Sequence, residues 1–259
     1  MSRKGNPILD SVRARLWRRN ANWISAIVGG VGSGKSWSAI SIADYVDNDF
    51  SIDKVFFRIA DFVNAINEGK ITKGSCCVLD EAGISWQARN FMRDENKQIS
   101  QLFQIMRFLN FGVIMTVPSL YFVDKHGRDL LHAIMKTKTI NYDQGYCELE
   151  YKLNDFNPIL NKPYRKYPRI RCDDGKIRRV ASIKVFKPDQ SLINRYEEKK
   201  KIFAMKLIRD VEDRIRKKAE KSKPGKPVKC KKCGYEWEYK GKTKEPTCPG
   251  CHRKTTTKQ

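Results

Sequence analysis

The chain has 259 residues, with 52 Lys+Arg against 29 Asp+Glu and a formal net charge of +23; it can hold one sizeable core plus a small appendage, and it calls for a polyanionic partner, nucleic acid before membrane. No apolar run approaches the roughly 18 residues of a membrane span, and no apolar stretch of the secretory kind follows Met1–Asn6. The expected setting is therefore cytoplasmic and reducing, where eight cysteines ask for a metal rather than for disulfides.

Pro7 to Asn20 predicts a short basic amphipathic helix, with Ile8, Leu9, Val12 and Leu16 on one side and Arg13, Arg15, Arg18 and Arg19 elsewhere. It serves either as a cap on the core or as an arm toward DNA or a neighbouring subunit. Asn22 to Val28 predicts a strand. It feeds Gly29-Gly30-Val31-Gly32-Ser33-Gly34-Lys35-Ser36, which spells G-x-x-x-x-G-K-[ST]. The glycines let successive backbone amides turn inward around an anion. Lys35 can reach the β- and γ-phosphates of a nucleotide, and the Ser36 hydroxyl can ligate Mg²⁺. A helix starting near Gly34 and running through Tyr45 would aim its positive end at the phosphates.

Lys54 to Ile59 predicts a second strand and Ala60 to Glu68 a short helix ended by Gly69. Ser75-Cys76-Cys77-Val78-Leu79-Asp80-Glu81 then reads as a buried strand closing on two acids, at the end where parallel sheets bind ligands. Strand alternation would send the two to opposite sides. Asp80 would face the Mg²⁺ shell, and Glu81 the γ-phosphate, where it can orient or deprotonate water. Cys76 and Cys77 read as small core residues. Asp80-x-x-Gly83 also fits the D-x-x-G of GTPases, but Asn96-Lys97-Gln98-Ile99 has Ile where a guanine-reading Asp belongs. ATP is the expected nucleotide.

Ile99, Leu102, Phe103 and Met106 predict a helix between Arg93 and Asn110, and Gly112 to Val117 the next buried strand, stopped by Pro118. Thr116 at its tip is either a sensor of the γ-phosphate or a strand-end threonine. Asp124 to Met135 predicts a helix whose Arg128 is either a finger toward a neighbouring subunit's nucleotide or a surface cation. Lys138 to Tyr142 and Tyr146 to Leu153 predict strands, and Tyr167 to Pro188 a hairpin turning at Asp173-Asp174-Gly175. Lys162, Arg165, Lys166, Arg169, Arg171, Lys176, Arg178 and Arg179, with Tyr164 and Tyr167 among them, make a candidate nucleic-acid surface. Cys147 and Cys172 have no partner spacing.

Ser191 to Lys221 predicts one long helix, with acid-then-base i,i+4 pairs such as Glu197–Lys201 and Glu212–Arg216 and a narrow stripe of Phe203, Leu207, Val211 and Ile215. Beyond the linker Ser222 to Pro227 lies Cys230-x-x-Cys233 … Cys248-x-x-Cys251. Two such knuckles predict a tetrahedral four-thiolate Zn²⁺ site, a zinc ribbon too small to fold without its metal. Tyr235, Trp237 and Tyr239 alternate on one strand face among lysines 231, 232, 240, 242 and 244. They either stack on nucleic acid or cover the zinc site. His252 is surplus to a complete four-sulfur set.

Taken together, residues from about 6 to about 200 resemble the additional-strand P-loop ATPases. Within that class they resemble archaeal and viral members of the FtsK/HerA and zonula-occludens-toxin-like group. The residues that carry this are the Gly29–Ser36 loop; Asp80-Glu81-Ala82-Gly83 with Trp86 and Arg89; Gln104-Ile105-Met106-Arg107; Thr116-Val117-Pro118-Ser119; and Asp124-x-x-x-Arg128. Val117 stands where FtsK/HerA-like proteins carry Gln, and no membrane span of the filamentous-phage kind is present. The resemblance implies an ATP-driven motor that assembles as a homo-oligomeric ring and moves double-stranded DNA. The rival reading is an ATP-switched nucleic-acid-binding or assembly protein without translocation. The expected fold is an α/β P-loop NTPase, RecA-like, with an additional strand in a parallel sheet. The expected organisation is a basic N-terminal helix over 1–20, an ATPase core with a β-rich extension over 21–190, a charged helix over 191–221, a linker over 222–229 and the ribbon over 230–254.

Overall fold

Trp23–Val28 (β1), Cys76–Leu79 (β3) and Gly112–Val117 (β4) are apolar on both alternating sides, and all but Val28 of their residues are buried. Such strands need cover on both faces, and their order in the sheet supplies it. The structure is a computed structural model and describes residues 5–81, 109–123, 125–157, 159, 162–172, 174–221, 226–241, 243 and 245–255. The chain divides into two compact units, residues 1–200 and 201–259.

In the first unit the sheet runs Ser182–Phe186 (β10), Tyr146–Asn157 (β6), Ala133–Asn141 (β5), β1, β4, β3 and Val55–Phe56 (β2), with Lys162–Lys166 (β7) paired to β6. Strands β2, β3, β4, β1 and β5 are mutually parallel. Strands β6, β7 and β10 extend the sheet antiparallel. Pro7–Trp17 (α1) and Lys35–Val46 (α2) cover one face. The buried side of α1 is Ile8, Leu9, Val12 and Leu16, and the absent side chain of Gly112 leaves room for Leu16. Ile59–Asn67 (α3) covers the other face through Phe62 and Ala65, which pack with Cys77, Leu79, Val113 and Met115. Asn6 caps α1, its Oδ1 accepting from the amides of Ile8 and Leu9.

Several elements differ from the local expectation. Lys54 to Ile59 is not one strand: a 3-10 turn over Ile52–Lys54 precedes β2, and α3 already starts at Ile59. The helix expected over Asp124 to Met135 is cut to Lys125–Asp129 (α4), and β5 begins at Ala133. Ala133 to Lys136 pair with Ser25 to Val28 of β1, so the open sheet edge outweighs a helix-compatible apolar run. The hairpin expected over Tyr167 to Pro188 shrinks to Arg169–Arg171 (β8) against Ile177–Arg179 (β9), and β10 leaves it to pair with β6. The stripe from Ile99 to Met106, with Ala82, Gly83, Trp86, Arg89 and Gln104 to Arg107, lies outside the described residues, as does Asp124.

Helix Gln190–Lys221 (α5) begins in the first unit, where Ile193 and Tyr196 are buried. Lys199 Nζ donates to the carbonyls of Ile52 and Val55 at 2.8 and 2.7 Å, which holds this first part of α5 beside β2. In the second unit Lys226–Lys229 (β11) pairs antiparallel with Glu236–Tyr239 (β12). Among the described residues no helix is long and apolar enough to cross a membrane.

Candidate functional site

The Gly29–Ser36 loop leaves the end of β1, the strand flanked by β4 and β5. Gly32 and Gly34 have φ of 73° and 84°, the left-handed region that glycine enters freely. A Cβ on Gly29 would lie 2.0 Å from Thr137 Oγ1 of β5, so a glycine is what lets the loop pass that strand. Thr137 Oγ1 donates to Ser33 Oγ at 3.0 Å and fastens the loop from the side. Helix α2 opens with Gly34 as N-cap and no side-chain cap, and its first backbone bond is Ser38 N to Gly34 O at 3.0 Å. The amides of Lys35, Ser36 and Trp37 therefore precede the first intrahelical bond, the arrangement an anion occupies at a helix N-terminus. Lys35 Nζ folds back onto Gly30 O at 2.5 Å. Burial lowers its pKa against the pull of Asp80 and Glu81.

Asp80 and Glu81 follow β3. Asp80 is 1% exposed and accepts three hydroxyls: Ser36 Oγ at 2.8 Å and Thr116 Oγ1 at 2.6 Å on Oδ1, and Tyr196 OH at 2.5 Å on Oδ2. A buried carboxylate needs such donors to satisfy its oxygens. Burial, then the Asp80 charge, pushes the Tyr196 phenol far above its ordinary value, so the phenol remains the donor. Strand alternation does not govern Glu81. The residue has φ of 52°, left-handed and strained for a side chain, and its carboxylate meets Lys200 of α5 at 2.7 Å while Asp80 Oδ2 lies 4.0 Å from the same ammonium. Both acids thus face one cation. Thr116 Oγ1, besides donating to Asp80, accepts the Glu81 amide at 2.9 Å, so it acts as a strut between the two acids.

Lys35, Ser36, Glu81, Thr116, Tyr196 and Lys200 line a cavity of about 810 Å³ that extends to Ile140, Tyr146 and Phe186, a volume that suits a nucleotide-sized ligand. Its far wall is apolar. Cys147, which has no partner spacing in the sequence, also lines it, with Sγ 3.7 Å from Ser33 O. Among the described residues that line the cavity Arg128 is absent; it sits on α4, where its carbonyl accepts from Asn154 Nδ2. Cys76 and Cys77 are buried in the sheet, and burial raises both thiols well above their ordinary range.

The strand order decides the architecture: β4 is inserted between the loop strand β1 and the acid strand β3. The fold is the P-loop NTPase fold. No protein-family model and no curated protein matches the chain. Among solved structures the chain is similar to the N-terminal domain of zonular occludens toxin from Neisseria meningitidis, at 14% identity over 56% of this chain and 93% of that one, with a TM-score of 0.35. It is also similar to a KaiC-like protein from the archaeon Pyrococcus horikoshii OT3, at 14% identity over 62% of this chain and 89% of that one, with a TM-score of 0.28. The fold assignment rests on the chain's own strand order and loop.

The donor set fits Mg²⁺ with a nucleoside triphosphate: an open helix N-terminus, a lysine within the loop, and a serine hydroxyl 2.8 Å from a buried aspartate. Thr137, Tyr196 and Lys200 are the residues that sequence reasoning missed. Tyr196 lies 116 positions from Asp80. The one local signal was the i,i+4 spacing of Tyr196 and Lys200, which puts them on one helix face without saying what that face meets.

In the second unit the Sγ atoms of Cys230, Cys233, Cys248 and Cys251 lie within 4.8 Å of one another. The two knuckles repeat each other. Lys232 N and Gly250 N donate to Cys230 and Cys248 Sγ at 3.4 and 3.3 Å. Gly234 N and His252 N donate to the Cys230 and Cys248 carbonyls at 2.9 Å each, and both residues are left-handed, with φ of 76° and 56°. Amides of Cys233 and Lys232 pull the Cys230 thiol down to about 6. Four converging sulfurs with amide support fit a tetrahedral Zn²⁺. Tyr235 precedes β12, its ring 6.2 Å from that of Trp237 and packed over Gly250.

On the first unit β7 is exposed at every position. Of the cations on this surface, Lys166 of β7 pairs with Asp155 at 2.7 Å and Arg178 of β9 with Asp174 at 2.7 Å. Arg179 lies 4.0 Å over the Tyr167 ring, so cation and aromatic are interleaved there.

Proposed function

We propose that the chain hydrolyses ATP to ADP and phosphate at the Gly29–Ser36 loop and couples this to movement of double-stranded DNA, as a translocase or packaging-type motor working as a homo-oligomeric ring. The observation that carries the reading is the contact of Ser36 Oγ with Asp80 Oδ1 at 2.8 Å: it joins the loop helix to the acid strand across 44 positions, beside the cavity that Ser36 lines.

Mg²⁺ bound with the triphosphate would neutralise charge on the terminal phosphoryl. Ser36 and Asp80 would hold the ion, and Gly29 to Gly34 would present their amides to the phosphates. Lys35 would leave the Gly30 carbonyl for the transferring group, and Glu81 would take the proton of the attacking water. Thr116 would keep the two acids in register, and Arg128 would serve a neighbouring subunit's site. The exposed β7 and the β8–β9 hairpin, with Arg165, Arg169, Arg171 and Lys176, would carry DNA phosphates. Cys230, Cys233, Cys248 and Cys251 would hold Zn²⁺, and the ribbon's aromatics would add a stacking surface. Cytoplasmic residence suits four reduced thiols.

One observation favours an ATP-switched binding protein without translocation instead: Glu81 is tied to Lys200 at 2.7 Å, which suits slow hydrolysis. The rate of ATP hydrolysis with and without duplex DNA, together with mass by light scattering, separates the two. A DNA-stimulated oligomer is expected, an unstimulated monomer supports the switch, and no binding of Mg·ATP overturns both.

A further inference from the structure

Lys200 belongs to α5, outside the loop and the acid-bearing end of β3, yet it lines the same cavity as Lys35, Ser36 and Glu81. Its ammonium makes a 2.7 Å contact with Glu81 and lies 4.0 Å from Asp80. The α5 head that carries it is anchored from two sides, by Tyr196 on Asp80 at 2.5 Å and by Lys199 on the Val55 carbonyl at 2.7 Å. Helix Gln190–Lys221 therefore delivers a cation to this corner on a fixed base, and only the side chain of Lys200 has to move.

The site holds two lysines, Lys35 and Lys200, against two carboxylates, Asp80 and Glu81. Each lysine is engaged on an internal partner, Lys35 on Gly30 O and Lys200 on Glu81. A diphosphate lying along the loop would engage Lys35 and leave the Lys200–Glu81 pair intact. A third phosphate adds one net negative charge and moves the doubly charged terminal group outward, to the side of Glu81. It repels that carboxylate and attracts the nearest ammonium that is not already on the loop.

We propose, resting on the nucleotide reading of this site, that Lys200 is a γ-phosphate ligand supplied in cis by the long helix, stored on Glu81 until a triphosphate arrives. The exchange is one of ion partners with no bond made or broken: Lys200 passes from the carboxylate to the terminal phosphate, and Glu81 is released to accept a proton from water. Lys200 thereby distinguishes ATP from ADP, and Glu81 becomes available only when the substrate is present.

The test is titration calorimetry of the full chain with Mg·AMP-PNP and with Mg·ADP, for wild type, Lys200→Met and Lys200→Arg. Met keeps the aliphatic stem and removes the charge. Lys200→Met is expected to weaken AMP-PNP binding about tenfold, the scale of one charge-assisted hydrogen bond, with ADP binding within twofold of wild type. Lys200→Arg should restore at least part of the difference. Unchanged ADP affinity also reports that the variant is folded. Equal weakening of both nucleotides, unchanged AMP-PNP affinity, or tighter AMP-PNP binding would each overturn the proposal, the last by making Lys200 a lock on Glu81. A wild-type chain that binds neither nucleotide removes the nucleotide reading itself, whereas a wild type that binds both with no difference in Lys200→Met removes the γ-phosphate ligand alone.

Discussion

Replacing Thr116 by valine separates a strut from a sensor. Thr116 is 1% exposed, and its hydroxyl serves two groups, donating to Asp80 Oδ1 at 2.6 Å and accepting the Glu81 amide at 2.9 Å. Valine fills the same volume and removes both bonds. The Asp80 carboxylate keeps Ser36 and Tyr196 as donors, so its share of the loss lies near the lower end of about 1.5–3 kcal/mol for a bond to a charged group. The Glu81 amide loses its acceptor, at about 1–3 kcal/mol. A total of about 2.5–4.5 kcal/mol corresponds to a fall in Tm of roughly 5–18 °C for a unit of this size. Urea and thermal unfolding of the ligand-free protein read it directly. Thr116→Ser keeps the hydroxyl and gives up one methyl, so it should lose only about 1 kcal/mol. Stability of Thr116→Val within about 0.5 kcal/mol of wild type, with hydrolysis abolished, would refute the strut and restore the sensor. If Thr116→Ser proved as unstable as Thr116→Val, the methyl and not the hydroxyl would be the part that matters.

Glu81→Gln should lower ATP turnover by a factor of about 100 or more while Mg·ATP still binds; turnover at the wild-type rate in a single-turnover assay would remove Glu81 as the base. His132 gives a pH dependence. Burial first, then the Arg15 cation, lowers its pKa from 6.5 to about 4, so the folded state resists protonation. Stability is complete above pH 6.5 and declines as pH falls toward 4, by roughly 3 kcal/mol in all. His132→Gln should flatten that part of the stability–pH curve, and an unaltered slope would disprove the assignment. His252→Gly should stabilise the four-cysteine unit by about 1 kcal/mol, because φ of 56° strains a side chain where the other Cys-x-x-Cys turn has Gly234. Zinc content measured on that variant should stay at one per chain; a loss would make His252 a ligand.

Two parts of this protein could be read locally. The spacing of Gly29 to Ser36 and of Cys230, Cys233, Cys248 and Cys251 states a backbone requirement and a donor set, and neither depends on distant chain. The buried side of α1 was equally plain, since Ile8, Leu9, Val12 and Leu16 follow the helical period. Elsewhere local pattern misled: Leu130 to Met135 is compatible with a helix, but the free edge of β1 draws Ala133 onward into the sheet. Alternation after Leu79 would have parted Asp80 from Glu81, yet a left-handed turn at Glu81 brings both to Lys200.

The primary structure by itself determined that a phosphate loop, an acid-tipped strand and a four-thiolate cluster exist, because each is a property of a few consecutive residues or a fixed spacing. Tertiary structure alone decided that Thr116 and Tyr196 hold Asp80 and that Lys200 stands over Glu81. Helical and strand periods disclose which side of an element is apolar, whereas its partner is chosen by chain closure over more than a hundred residues, as for Tyr196 and Asp80 at a separation of 116.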